Sequence, residues 1–121
     1  MNGGRPPNLE ELKHALRRFN SERDWSRYHG VKNLAMALAS EVGELVAILR
    51  WKSSEESERA NLDSSARVRI EQELGDVFLI LMTLAERLDL DLLDVANAKL
   101  LQNAEKYPVA TSRGRAEPSR E

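Results

Sequence analysis

Two acidic pairs stand out because of their surroundings. Glu41 and Glu44 lie in LASEVGELVAILRWK, and Glu73 and Asp76 in ELGDVFLILM, each pair spaced three apart inside a run that is otherwise apolar. On a helix, residues three apart share a face, so each pair sets two like charges one turn apart where water is scarce. Burying such ions costs several kcal/mol each unless a positive partner offsets it. Other acidic pairs at this spacing have ordinary explanations: Glu55/Glu58 is in a polar segment, Glu86/Asp89 at a helix end, and Asp91/Asp94 where acids complement a helix dipole. Four carboxylates converging from two neighbouring helices make a divalent metal site. The competing explanation is ion pairing across the helices, with Arg69 or Lys99 as the base.

Ligand chemistry narrows the metal. The chain has no cysteine and two histidines, His14 and His29, neither of them in a Glu-x-x-His arrangement of the kind that di-iron bundles use. Hard oxygen ligands alone point to Mg²⁺, with Mn²⁺ as the substitute. Mg²⁺ keeps several waters and recruits phosphate oxygens, which implies a phosphorylated substrate. There is no glycine-rich phosphate loop and no nucleophilic serine or cysteine motif, so covalent catalysis has no candidate.

Trp51 follows Glu44 by seven residues, two helical turns or about 10 Å. That distance is about the reach from a triphosphate to its base, and an indole there can stack on a nucleobase, as can Trp25 if its loop folds over the same cavity. His29 can hydrogen-bond a base or simply finish a loop. Lys99, Asn103 and Lys106 form one polar stripe suited to phosphate, although a solvated outer face has the same pattern.

The elements that must carry these residues are helical. Leu9, Leu12, Leu16 and Phe19 mark a first helix over 8–23, and RDWSRYHGVKN reads as a connecting loop. A second helix over 32–51 and a third from Ser64 or Ser65 to 88 are apolar around most of their circumference, which predicts burial on several sides. The short polar link 52–63 makes them antiparallel neighbours, so the acidic pairs face each other. Asp89 or Asp91 caps a fourth helix that stops before Pro108. The expected fold is an all-α four-helix bundle over 8–108, with a flexible N-terminus at 1–7 and a disordered tail at 109–121. Its surplus apolar surface predicts oligomerisation. A net charge of −2, from 18 basic and 20 acidic residues, gives no field for nucleic acid or membrane. Without a signal-like N-terminus or a membrane-length apolar run, a cytoplasmic location is expected.

Glu41-x-x-Glu44, a gap of 28 residues and Glu73-x-x-Asp76 resemble the metal motif of the MazG-like superfamily of all-α nucleoside triphosphate pyrophosphohydrolases. The likeness is closest to the dCTP pyrophosphatase branch, through ERDW at 22–25, His29, NLAMALASEVGELVAILRWK, ELGDV at 73–77 and KLLQNAEKYP. It covers about residues 9–108. The resemblance implies hydrolysis between the α and β phosphates to the monophosphate and pyrophosphate, with dCTP or a modified pyrimidine nucleotide as substrate and nucleotide-pool sanitation as purpose. It implies that Glu41, Glu44, Glu73 and Asp76 hold Mg²⁺ and that Glu41 or Glu44 takes a proton from water. It also implies that Lys99 and Asn103 contact substrate, that Trp25, His29 and Trp51 line a base pocket, and that the chains form dimers or tetramers. Two positions depart from the dCTP branch: Ile80 replaces a tyrosine one turn after the last metal aspartate, and Leu16 replaces a histidine three residues before Phe19. The same chemistry on a different or broad nucleotide set is one alternative; a non-enzymatic helical interaction module with structural acids is another.

Overall fold

A computed structural model describes residues 4–115. Five α-helices and two short 3-10 turns account for the regular structure, and no strand occurs among the described residues. The first helix, α1 (Leu9–Glu22), starts on a capping box: the Glu11 backbone N–H donates to Asn8 Oδ1 at 2.8 Å, and the Asn8 N–H donates back to Glu11 Oε1 at 3.2 Å. Its end is turned by Asp24, which sits in the left-handed region at φ 51°. The loop expected after it contains a 3-10 turn, Ser26–Tyr28.

Helix α2 (Val31–Leu49) stops two residues short of the expected end, leaving Trp51 in the turn that follows. The polar link contains a second 3-10 turn, Arg59–Asn61. Helix α3 (Ser64–Arg87) is capped by Asp63, whose Oδ1 accepts from the Ala66 N–H at 2.7 Å, and not by either of the serines expected to do so. The carboxylate is the stronger acceptor at a helix N-terminus because it also complements the dipole. Helix α4 (Leu92–Lys106) is capped by Asp91. Within the stretch 109–121, read from sequence as disordered, Val109–Ser112 forms a four-residue helix, α5, and residues 116–121 lie outside the described part. The expected flexible segment 1–7 likewise begins outside it, at residues 1–3.

The chain divides into two compact units, one ending at Leu88 and the other beginning at Asp89. In the first, α2 packs along α3, and α1 docks on α3. Its core is small: Leu34, Ala66, Met82 and Ala85 are the buried apolar residues. The expectation that α2 and α3 are buried on several sides is therefore not met within one chain. Val42, Val46, Leu74 and Phe78 all remain exposed, because three packed helices have too little surface to cover two that are apolar all round. No helix among the described residues is long and apolar enough to cross a membrane.

Candidate metal centre

The α2–α3 contact is what brings the two acidic pairs together. Glu41 from α2 and Glu73 from α3 are half-buried, and Asp76 is exposed. One carboxylate oxygen from each lies within 4.8 Å of the others. The Oε2 atoms of Glu41 and Glu73 are buried with no hydrogen-bond donor. Glu44, more exposed, is outside that three-oxygen group, and its charge adds to the field at Glu73.

Carboxylates in contact have no donor of their own, so they can bond to one another only by holding a proton. Hydrogen bonding to Glu41 is the largest cause raising the Glu73 carboxyl to about 7; desolvation and the nearby charge of Glu44 and Glu41 add to it. The ion-pair explanation is not what the structure shows. Among the described residues the ion pairs are Arg5–Glu11, Arg17–Glu86 and Arg27–Asp24, and none reaches the four acids. Donorless buried oxygens on a cluster of hard anionic ligands fit a divalent cation, which would satisfy them directly and displace the shared proton.

The remaining sequence candidates fall in three places. Trp25 packs edge-on against Phe19, with ring centroids 5.5 Å apart, and its ring lies 6.5 Å from that of His29. Trp51 is 84% exposed, with the Arg50 guanidinium 5.0 Å from its ring centroid. Because α2 ends at Leu49, the two-turn count from Glu44 does not extend to it. Lys99, Asn103 and Lys106 are on α4 in the second unit, where the Asn103 carbonyl accepts from the Tyr107 N–H at 2.8 Å and Lys106 Nζ lies 5.4 Å from the Tyr107 ring.

Sequence reasoning missed a cleft of about 470 Å³ in the first unit. Arg17, Asn20 and Ser21 of α1 face Thr83, Glu86 and Arg87 of α3 across it, with Ser26 and His29 at its edge. Both triads are spaced i, i+3, i+4, a polar stripe on each of two helices, and that matched pattern was the available signal.

An all-α fold that presents a donorless carboxylate cluster on two packed helices defines a class of helical proteins whose acids are compatible with a divalent metal site. The MazG-like family profile matches residues 36–121, and the chain belongs to that family. It is 38% identical over 91% of its length to dCTP pyrophosphatase 1 of Mus musculus, and 35% identical over 88% of its length to that of Homo sapiens. It spans 65% and 63% of the length of those two relatives. Among solved structures, a pyrophosphatase from Archaeoglobus fulgidus superposes with a TM-score of 0.77 at 31% identity, covering 89% of this chain and 99% of that one.

Proposed function

We propose that the protein is a Mg²⁺-dependent nucleoside triphosphate pyrophosphohydrolase that converts dCTP or a modified pyrimidine deoxynucleotide to the monophosphate and pyrophosphate, and so cleanses the nucleotide pool. The observation that carries this is the cluster of Glu41, Glu73 and Asp76 with its donorless oxygens. Those three and Glu44 would hold the ion, with Mn²⁺ as a substitute. Bound there, the metal would neutralise phosphate charge and acidify a water. Glu41 or Glu44 takes the proton as the water oxygen attacks phosphorus and the bond between the α and β phosphates breaks. Likeness to the dCTP pyrophosphatases supports the substrate class. Trp25, His29 and Trp51 are assigned to the base, and Lys99, Asn103 and Lys106 to the phosphates.

The reading takes a free nucleotide as partner, not nucleic acid or membrane, in the cytoplasm. It also takes the exposed apolar side chains of α2 and α3 as the contact of a homodimer or homotetramer. The test is a panel of nucleoside triphosphates assayed for pyrophosphate with Mg²⁺. Glu41→Gln and Asp76→Asn should each lower turnover by about a hundredfold or more while the helical circular dichroism is kept. Release of orthophosphate alone, or no product from any triphosphate with Mg²⁺ or Mn²⁺, overturns it.

A further inference from the structure

The cleft between α1, the Ser26–Tyr28 turn and α3 holds more hydrogen-bond donors than its own acceptors use. Its one carboxylate, Glu86, is engaged by Arg17, whose Nε donates to Oε1 at 2.5 Å. Arg87 has no acidic partner among the described residues; its only side-chain hydrogen bond there is a long one, from Nη1 to the Ser26 carbonyl at 3.4 Å. A guanidinium carries five donors, so most of its capacity is unspent. The side chains of Asn20, Ser21 and Ser26 make no hydrogen bond among the described residues. The lining therefore carries one unmatched positive charge and a surplus of N–H and O–H groups in a volume of ligand size. A cation finds no free carboxylate here, and an apolar ligand would strand the donors. The ligand that fits is an oxyanion, held by charge-assisted hydrogen bonds.

The site also has a defined direction from the acids. Thr83 and Arg87 follow Asp76 by seven and eleven residues, so all three share one stripe of α3, separated by about 10 and 16 Å along the axis. We propose that this cleft binds a phosphate or carboxylate group, with Arg87 as its principal ligand and Arg17 and the Ser26 hydroxyl as supporting donors. The group is either the far end of an extended substrate whose triphosphate lies at the acids, a source that rests on the pyrophosphohydrolase reading, or a free small anion, which does not.

The test is ¹⁵N NMR of the full chain, titrated with sodium phosphate in EDTA at ionic strength held constant with chloride, so that the acid cluster has no metal with which to hold the anion. The expected result is saturable movement of the Arg17 and Arg87 Nε–H signals and the Ser26 and His29 amides. Arg87→Gln should weaken binding about tenfold or more, and Arg87→Lys should retain part of it. No saturation beyond that seen with chloride, or equal affinity in Arg87→Gln, overturns the site. Arg87 is exposed at a helix end, and the unaltered amide spectrum elsewhere is the check that the variant is folded. A second arm with Mg²⁺ compares inorganic phosphate with a nucleoside triphosphate carrying an added 3′-phosphate. If the latter moves cleft and acid-cluster signals in one step, the anion is the substrate's far end. If only inorganic phosphate moves the cleft signals, it is a free anion. The triphosphate in this arm carries a methylene group between the α and β phosphorus atoms, which the proposed hydrolysis does not cleave, so the result is independent of whether pyrophosphate is ever released.

Discussion

Raising the pH from 6 to 8 should tighten Mg²⁺ binding about tenfold, and the size of the effect comes from Glu73. Its carboxyl titrates near 7 because it shares a proton with Glu41 and is poorly solvated beside Glu44. The metal must displace that proton, so apparent affinity follows the deprotonated fraction, roughly one in eleven at pH 6 and ten in eleven at pH 8. The sign for folding without metal runs the opposite way. Below the ordinary value of 4.5 the carboxyl is protonated whether folded or unfolded, and Glu73 contributes nothing. Between 4.5 and about 7 the folded chain keeps a proton that the unfolded chain gives up, so stability falls as pH rises through that window and is then constant. Calorimetry of Mg²⁺ binding at several pH values, in buffers of different ionisation enthalpy, reads both the affinity and the released proton. Melting temperatures with and without Mg²⁺ should diverge as pH rises. In Glu73→Gln the pH slope should vanish and the affinity fall. An affinity constant from pH 6 to 8, or a slope surviving in Glu73→Gln, would refute the reasoning.

Three stability changes are expected in denaturant titrations. Asp63→Ala removes the acceptor of the Ala66 N–H at the start of α3 and should cost about 1 kcal/mol, with Asp63→Ser recovering most of it. Leu34→Ala empties a site only 4% exposed in the small core and should cost about 2 to 4 kcal/mol; a loss under 1 kcal/mol would mean that the core closes over the gap. Asp24→Ala should cost about 1 kcal/mol, since the residue sits at φ 51°, while Asp24→Gly should be neutral or better.

The helices were legible because α1 to α4 carry long apolar patterns and all but α2 have side-chain caps, and the meeting of Glu41 with Glu73 and Asp76 followed from a short link between two such helices. The cap of α3 was misread because Asp63, Ser64 and Ser65 are three adjacent capping residues and local chemistry alone ranks them weakly. The brief Ser26–Tyr28, Arg59–Asn61 and Val109–Ser112 elements are too short to leave a period. Burial within one chain falls short of the pattern because an apolar circumference reports what a helix would prefer to cover, not what one chain has available. The Arg17 and Arg87 cleft was invisible for a different reason: each stripe alone looks like a solvated face, and only the docking of α1 on α3 makes the two stripes one surface.

The donorless oxygens of Glu41 and Glu73 also bear on how this chain would drift or be engineered. A library screened for thermal tolerance in chelating buffer would score these positions as defects and enrich glutamine, asparagine or aliphatic residues there, since each such change relieves crowding among like charges. The same library screened in Mg²⁺ should reject those changes. The two enrichment profiles would therefore separate residues that serve the ion from residues that serve the scaffold, with no assumption about substrate.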